Sequence, residues 1–183
     1  GNDQLVANYA RGLDLSGSME GAGGIGGLLA RTDNTGVSAY YHVDGSGNVT
    51  MLVNSSQQVV AKYLYDPFGN LLGMSGSLAE ANPYRFSSKE YDTKAGLYYY
   101  GFRFYEPNLQ RWLNQDPLGE AGGINLYGFV SNNPVNAVDP FGFESFLFPQ
   151  QYAQSAEFRE GFQQGMAAGV PAGANIPYKA AAS

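Results

Sequence analysis

Cysteine is absent from all 183 residues, which excludes a disulfide framework and a thiol nucleophile while leaving the redox compartment open. There is one histidine, His42, so no second imidazole exists to complete a metal site or a proton relay, and a structural role is expected for it. Lys and Arg together number 10 against 16 Asp and Glu, giving a formal net charge of −6 and a pI near 4.6. The basic footprint that nucleic acid or anionic lipid would require is missing, and neither is expected as a partner. Long apolar runs are missing too: residues 21–30 form the longest, half of it is glycine, and a bilayer span needs about 20 residues. No stretch reads as a signal peptide, and the sequence opens on Gly1 rather than Met, so a piece of a longer polypeptide is expected. No cofactor and no metal is implied.

What is abundant is the vocabulary of strands and tight turns: Gly 25, Pro 9, Tyr 14 and Phe 11. Aromatic side chains suit a half-buried pleated surface, and glycine supplies the positive φ of reversals, so an all-β body is expected. Strand candidates run over residues 37–43, 49–53, 59–65 and 71–74, separated by Asp44-Gly45-Ser46-Gly47-Asn48, a polar turn over 54–57, and Asp66-Pro67-Phe68-Gly69-Asn70. A further turn is expected in Tyr91-Asp92-Thr93-Lys94-Ala95-Gly96-Leu97-Tyr98. The turn aspartates Asp44, Asp66 and Asp92 mark an imperfect repeat, which implies hairpins that bury their faces against neighbours.

Residues 97–105, the most aromatic stretch, read as one strand packed on both faces or lining a cavity. The Gly21-Ala22-Gly23-Gly24-Ile25-Gly26-Gly27 stretch lacks the spacing of a nucleotide fingerprint and has no Lys-Ser/Thr after it, so it reads as a flexible or closely packed backbone turn. One helix is expected near the C-terminus, over residues 150–169, with Tyr152, Phe158, Phe162 and Met166 on one face and Gly161, Gly165 and Gly169 spaced by four; Glu157, Arg159 and Glu160 interrupt any membrane span. Residues 170–183 read as a linker or tail.

Residues 111–143 carry the chemistry. Arg111-Trp112-Leu113-Asn114-Gln115-Asp116-Pro117-Leu118-Gly119 leads into an Asn125-Leu126-Tyr127 strand and an Asn132-Asn133-Pro134 turn, and the block closes on Asp139-Pro140-Phe141-Gly142-Phe143. Two Asp-Pro-x-Gly turns thus bracket the segment, and the fold can bring Asp116 and Asp139 together. Paired carboxylates in a shielded site cannot both ionise comfortably; one keeps a proton while the other activates water. Arg111, or else Arg103, is expected to orient them. The plainer role for each aspartate is a turn whose side chain caps backbone N–H groups, and Asn125, Asn132 and Asn133 are read in that way. Trp112 is expected in the core.

This block resembles the RHS repeat-associated core signature, and Tyr65-Asp66-Pro67-Phe68-Gly69-Asn70-Leu71 with Lys89-Glu90-Tyr91-Asp92 resembles the tyrosine-aspartate (YD) repeats that precede it; the likeness covers about residues 36–143. It implies antiparallel β-hairpins winding into a spiral sheet that closes as a shell around a C-terminal payload, as in bacterial polymorphic toxins and toxin-complex C components. It also implies self-cleavage of an aspartic-protease type just after the second Asp-Pro-x-Gly-hydrophobic element, which here is the Phe143-Glu144 bond. Phe143 stands where the family usually has Leu or Met, and Glu106 where a repeat often has Asp.

On this reading residues 1–35 are Gly-rich N-terminal strands and connection, 36–110 the YD-repeat hairpins, 111–143 the core with its self-cleavage element, and 144–183 a variable C-terminal helix and tail. The expected partners are the remainder of the parent polypeptide and its C-terminal effector, with self-association through open strand edges as the alternative. The expected location is secreted or at a bacterial cell surface. The competing function is a non-cleaving extracellular structural or adhesive scaffold. A toxin enzyme within residues 144–183 is disfavoured, because those 40 residues hold no His and no dense polar constellation.

Overall fold

The computed structural model describes residues 7–143 and 146–147. Twelve strands lie within them: β1 (Ala7–Arg11), β2 (Leu28–Asp33), β3 (Ser38–Val43), β4 (Val49–Asn54), β5 (Val59–Tyr65), β6 (Leu71–Ser75), β7 (Glu90–Asp92), β8 (Leu97–Tyr99), β9 (Phe104–Glu106), β10 (Arg111–Trp112), β11 (Ala137–Val138) and β12 (Phe146–Leu147). β1 to β6 form an antiparallel meander in sequence order, β7 to β10 a second four-stranded meander, and β11 pairs with β12. The described residues contain three short 3-10 turns and no α-helix, so the all-β architecture expected from composition is the one observed. The helix expected over residues 150–169 lies outside the described residues, as does Glu144.

One turn chemistry builds the first sheet. At Asp33, Asp44, Asn54 and Asp66 the side-chain Oδ1 accepts hydrogen bonds from the backbone N–H groups two and four residues on, at 2.9–3.0 Å. In each turn the backbone N–H three residues on also returns to the carbonyl of that Asp or Asn. Five-residue Asx turns therefore reverse the chain at both ends of the sheet, every 10 to 12 residues in sequence. The sequence repeat seen through Asp44 and Asp66 is one half of this pattern.

Alternation puts Ala39, Tyr41, Leu52, Ala61 and Tyr63 on the buried face of the first sheet, and Tyr40, Leu64 and Leu72 on the exposed one. Asn82, fully buried, ties the tyrosines together: it accepts from Tyr41 Oη at 2.5 Å and donates to the Tyr84 carbonyl at 2.6 Å and to Tyr63 Oη at 3.3 Å. A second cluster of Phe86, Tyr98, Tyr100, Tyr105, Trp112 and Phe129 fills the space under β7 to β10, and Tyr65 packs against both clusters.

Two sequence expectations are corrected here. Residues 97–105 are not one strand: the chain reverses over Tyr100 to Arg103, where Tyr100 N–H donates to the Arg103 carbonyl at 3.0 Å and Gly101 sits at φ +99°. The reversal pairs Tyr98 with Tyr105 and Tyr99 with Phe104, which buries Tyr98 and Tyr105 on one side of the sheet. Asn125-Leu126-Tyr127 is also a turn rather than a strand. Asn125 Oδ1 accepts from Tyr127 N–H at 3.2 Å and Gly128 N–H returns to the Asn125 carbonyl. This segment still lies along the preceding one, because the Tyr127 and Leu126 carbonyls accept from Trp112 and Asp116 N–H.

Candidate functional site: two aspartates on one buried arginine

The hairpin reversal at Tyr100 to Arg103 delivers the central side chain. Arg103 is 2% exposed, its guanidinium stands 4.3 Å from the centre of the Trp112 ring, and its three nitrogens take three different partners. Nη1 donates to Asp116 Oδ2 at 2.9 Å, Nη2 donates to Asp139 Oδ2 at 3.1 Å, and Nε donates to the Gly142 carbonyl. Two acids 23 positions apart in sequence are thereby drawn to adjacent nitrogens of one planar group.

The turn chemistry of the first sheet explains how the acids can do this. Asp139 Oδ1 accepts from the N–H groups of Phe141, Gly142 and Phe143 at 3.2, 2.7 and 3.0 Å, and Asp116 Oδ1 accepts from Leu118 N–H at 2.8 Å. In each case one oxygen holds the Asp-Pro turn and the other, Oδ2, faces Arg103. Turn-capping and participation in the cluster, treated as rivals when the sequence is read alone, coexist in the same side chain.

Asp139 is the more deeply buried of the two acids. Asp139 is 2% exposed; burial raises its pKa to about 6, against the opposing pull of Arg103 and of its three backbone donors. The Asp116 side chain is 7% exposed. A cleft of about 660 Å³, whose lining includes Arg103, Asp116, Asp139 and Phe143, opens onto the pair, and its size suits a short peptide segment. Phe143 is held at this point from two directions: its N–H by Asp139, and its ring 3.9 Å from the Phe102 ring, centre to centre.

Of the residues singled out in the sequence, Asp116, Asp139 and Phe143 come together. Arg111 lies apart from the carboxylates: its guanidinium is 4.4 Å from the centre of the Tyr127 ring and its Nε donates to the Trp112 carbonyl at 3.3 Å. Of the two arginines left open by the sequence, Arg103 is the one between the acids. His42 is an exposed strand residue of β3. Among the described residues no group of three or more His, Cys, Asp or Glu could hold a metal ion, and no helix is long and apolar enough to cross a membrane.

Two contributors went unseen in the sequence. Gly122 lies so close to the Asp116 carboxylate that a Cβ there would stand 2.7 Å from Oδ2; the Gly122-Gly123 pair was the available signal. Lys89 donates from Nζ to the Pro140 carbonyl at 2.6 Å, and nothing in its sequence neighbourhood announces that contact.

A family model described as the teneurin YD-shell matches residues 25–135. The chain belongs to the YD-shell family. Among curated relatives of this YD-shell chain, toxin subunit YenC1 of Yersinia entomophaga is 38% identical over 131 residues, covering 70% of the chain and 12% of the relative. The tRNA3(Ser)-specific nuclease WapA of Bacillus spizizenii is 38% identical over 125 residues, covering 66% and 5%. The chain thus spans a small fraction of the length of these two relatives. The crystal structure of a TcdB2-TccC3-Cdc42 complex superposes with a TM-score of 0.58 at 32% identity over 62% of the chain and 6% of that polypeptide. A Photorhabdus luminescens Tc holotoxin pore superposes at 0.62 over 81% of the chain and 7% of that one; at 24% identity it attests the fold alone.

Proposed function

We propose that this chain is the C-terminal part of a secreted bacterial RHS shell that encloses and releases a C-terminal effector, and that residues 111–143 cut the chain once, at Phe143-Glu144. The observation that carries the reading is the three-way grip of Arg103 on Asp116, Asp139 and the carbonyl one residue before Phe143. The toxin-subunit and nuclease names of the relatives, and the Tc-toxin setting of the similar structures, support the shell and its extracellular working place.

In the step we propose, ionised Asp116 takes a proton from a water whose oxygen adds to the Phe143 carbonyl carbon. Protonated Asp139 supplies the acid on the other side, the C–N bond breaks, and the Glu144 nitrogen leaves with a proton as a free amine. Arg103 holds both acids in register, and tethering makes the attack effectively unimolecular.

Intact-mass analysis tests this directly. The native chain is expected to yield a fragment ending at Phe143, and Asp116→Asn or Asp139→Asn to slow its appearance by about 10²- to 10⁴-fold. The fragment's mass separates the event from acid scission at an Asp-Pro bond. A native chain that stays whole from pH 4 to 8 contradicts the cutting step and favours the non-cleaving scaffold.

A further inference from the structure

One buried ammonium touches the same turn. Lys89 is 7% exposed, and its Nζ donates to the Pro140 carbonyl at 2.6 Å and to the Gly23 carbonyl at 2.8 Å, with the Tyr100 ring centre 5.2 Å away. Its two carbonyl partners lie 51 and 66 positions distant in sequence. One belongs to the Asp139-Pro140 turn of the candidate site; the other belongs to the glycine-rich loop between β1 and β2.

The 3-10 turn immediately before Lys89, Phe86–Ser88, is fastened to that same upstream region. Ser88 Oγ donates to the Gly47 carbonyl at 2.7 Å and accepts from Gly26 N–H at 3.0 Å, while Ser87 N–H donates to Asn48 Oδ1 at 2.7 Å. Ser87 and Ser88 both sit at positive φ, 51° and 53°, a conformation that such contacts must hold in place. Gly23 itself sits at φ +58°, and a Cβ there would stand 2.1 Å from the Pro140 oxygen and 2.8 Å from Lys89 Nζ. The glycine loop and the catalytic-side turn are therefore in direct backbone contact, with Lys89 across the seam.

A buried ammonium costs several kcal/mol unless its hydrogen bonds are made, and these bonds exist only when both loops are in place. Burial lowers the Lys89 pKa to about 8 although Asp139 pulls the other way, so Lys89 is held by geometry at an electrostatic cost. A residue of the same shape without charge would fill the space more cheaply, which argues that the ammonium does something that packing alone does not.

We infer that Lys89 is a positioning residue for the Asp139 turn, making completion of the Asp116-Arg103-Asp139 cluster conditional on docking of the glycine loop at residues 21–27. The cluster would then form only after the first sheet has closed its N-terminal loop, so the chain is not cut while that end is unfolded. The consequence for cutting rests on the self-cleavage reading; the positioning itself rests on the contacts alone.

The test uses the full chain refolded from urea with three readouts: emission of the single tryptophan, Trp112, for native packing; hydrogen exchange of the Gly142 and Phe143 amides, both bonded to Asp139; and the rate at which the fragment ending at Phe143 appears. Lys89→Met and Gly23→Ala are expected to keep native Trp112 emission, to exchange those two amides roughly 10-fold faster, and to cut about 10- to 100-fold more slowly. Lys89→Arg, which keeps charge and donors, is expected to recover most of both. Native exchange at Gly142 and Phe143 in folded Lys89→Met overturns the inference whether or not the chain cuts. A native chain that never cuts overturns the self-cleavage reading, and the exchange arm still decides the positioning. Should Lys89→Met fail to regain Trp112 emission, Gly23→Ala decides by the same exchange criterion.

Discussion

Asp139 is a carboxyl whose burial and hydrogen bonding pull in opposite directions, and burial prevails, raising its pKa to about 6. In an unfolded chain the same group titrates near 3.8. Between those two values the folded chain binds more protons, so stability falls as pH rises from about 4 to about 6, by on the order of 3 kcal/mol from this group, and levels off above. Lys89 acts on a separate window: with its folded pKa lowered to about 8 from 10.5, stability rises as pH climbs between those values. Urea midpoints of chains kept whole by Asp116→Asn are expected to fall from pH 4.5 to 6, and the slope to vanish when Asp139→Asn is added; an unchanged slope would show that another group titrates there. The same proton governs the proposed cut, so its rate is expected to fall about 10-fold per pH unit above about pH 6. The aspartates and Phe143 were legible in the sequence because Asp-Pro-x-Gly is a turn with a mechanism. Arg103 was only half legible, since two arginines stand at the N-terminal end of the block and the hairpin that selects between them depends on how one aromatic run folds. Lys89 was illegible, because it acts through contacts set by tertiary approach, and at Gly122 the glycine pair was the one signal.

At the level of elements, the five-residue Asx turn does most of the organising. Asp33→Ala removes an exposed side chain whose hydrogen bonds go to its own loop, whereas the Asp66 turn also meets Pro107 through Asn70 and seats Gly69 against Phe86. Loss of Asp66 hydrogen bonds is expected to cost about 2 kcal/mol, and loss of those at exposed Asp33 to cost less. Chemical denaturation of Asp66→Ala and Asp33→Ala checks this, and equal costs would contradict the packing argument. β3 to β6 could be read from the sequence to within one or two residues, since alternation and turn residues agree there. The aromatic run at 97–105 could not, because six of its nine residues are aromatic, which leaves alternation nothing to contrast, and only Gly101 hints at the reversal.

For the molecule as a whole, β1 and β6 end the first sheet among the described residues, and alternate positions such as Leu29, Tyr40, Leu64 and Leu72 leave an apolar face exposed. Open edges and apolar faces favour association, as expected of a segment that its relatives carry within far longer polypeptides. Light scattering is expected to show concentration-dependent growth that Ala10→Lys, a charge on β1, diminishes; particles of unchanged size in that variant would place the contact elsewhere. The split use of each aspartate, one oxygen for the turn and one for the arginine, has a further consequence. Asparagine keeps the first oxygen, as Asn54 already does in the first sheet, but places an NH2 donor where the second oxygen accepts from Arg103, so that hydrogen bond goes with the charge. On the proposed reading, a one-letter codon change at position 116 or 139 therefore stops the cut while the Asp-Pro turn keeps its capping oxygen. Since proline follows both positions and has no backbone N–H to attack the amide, spontaneous deamidation through a succinimide would not restore the acid.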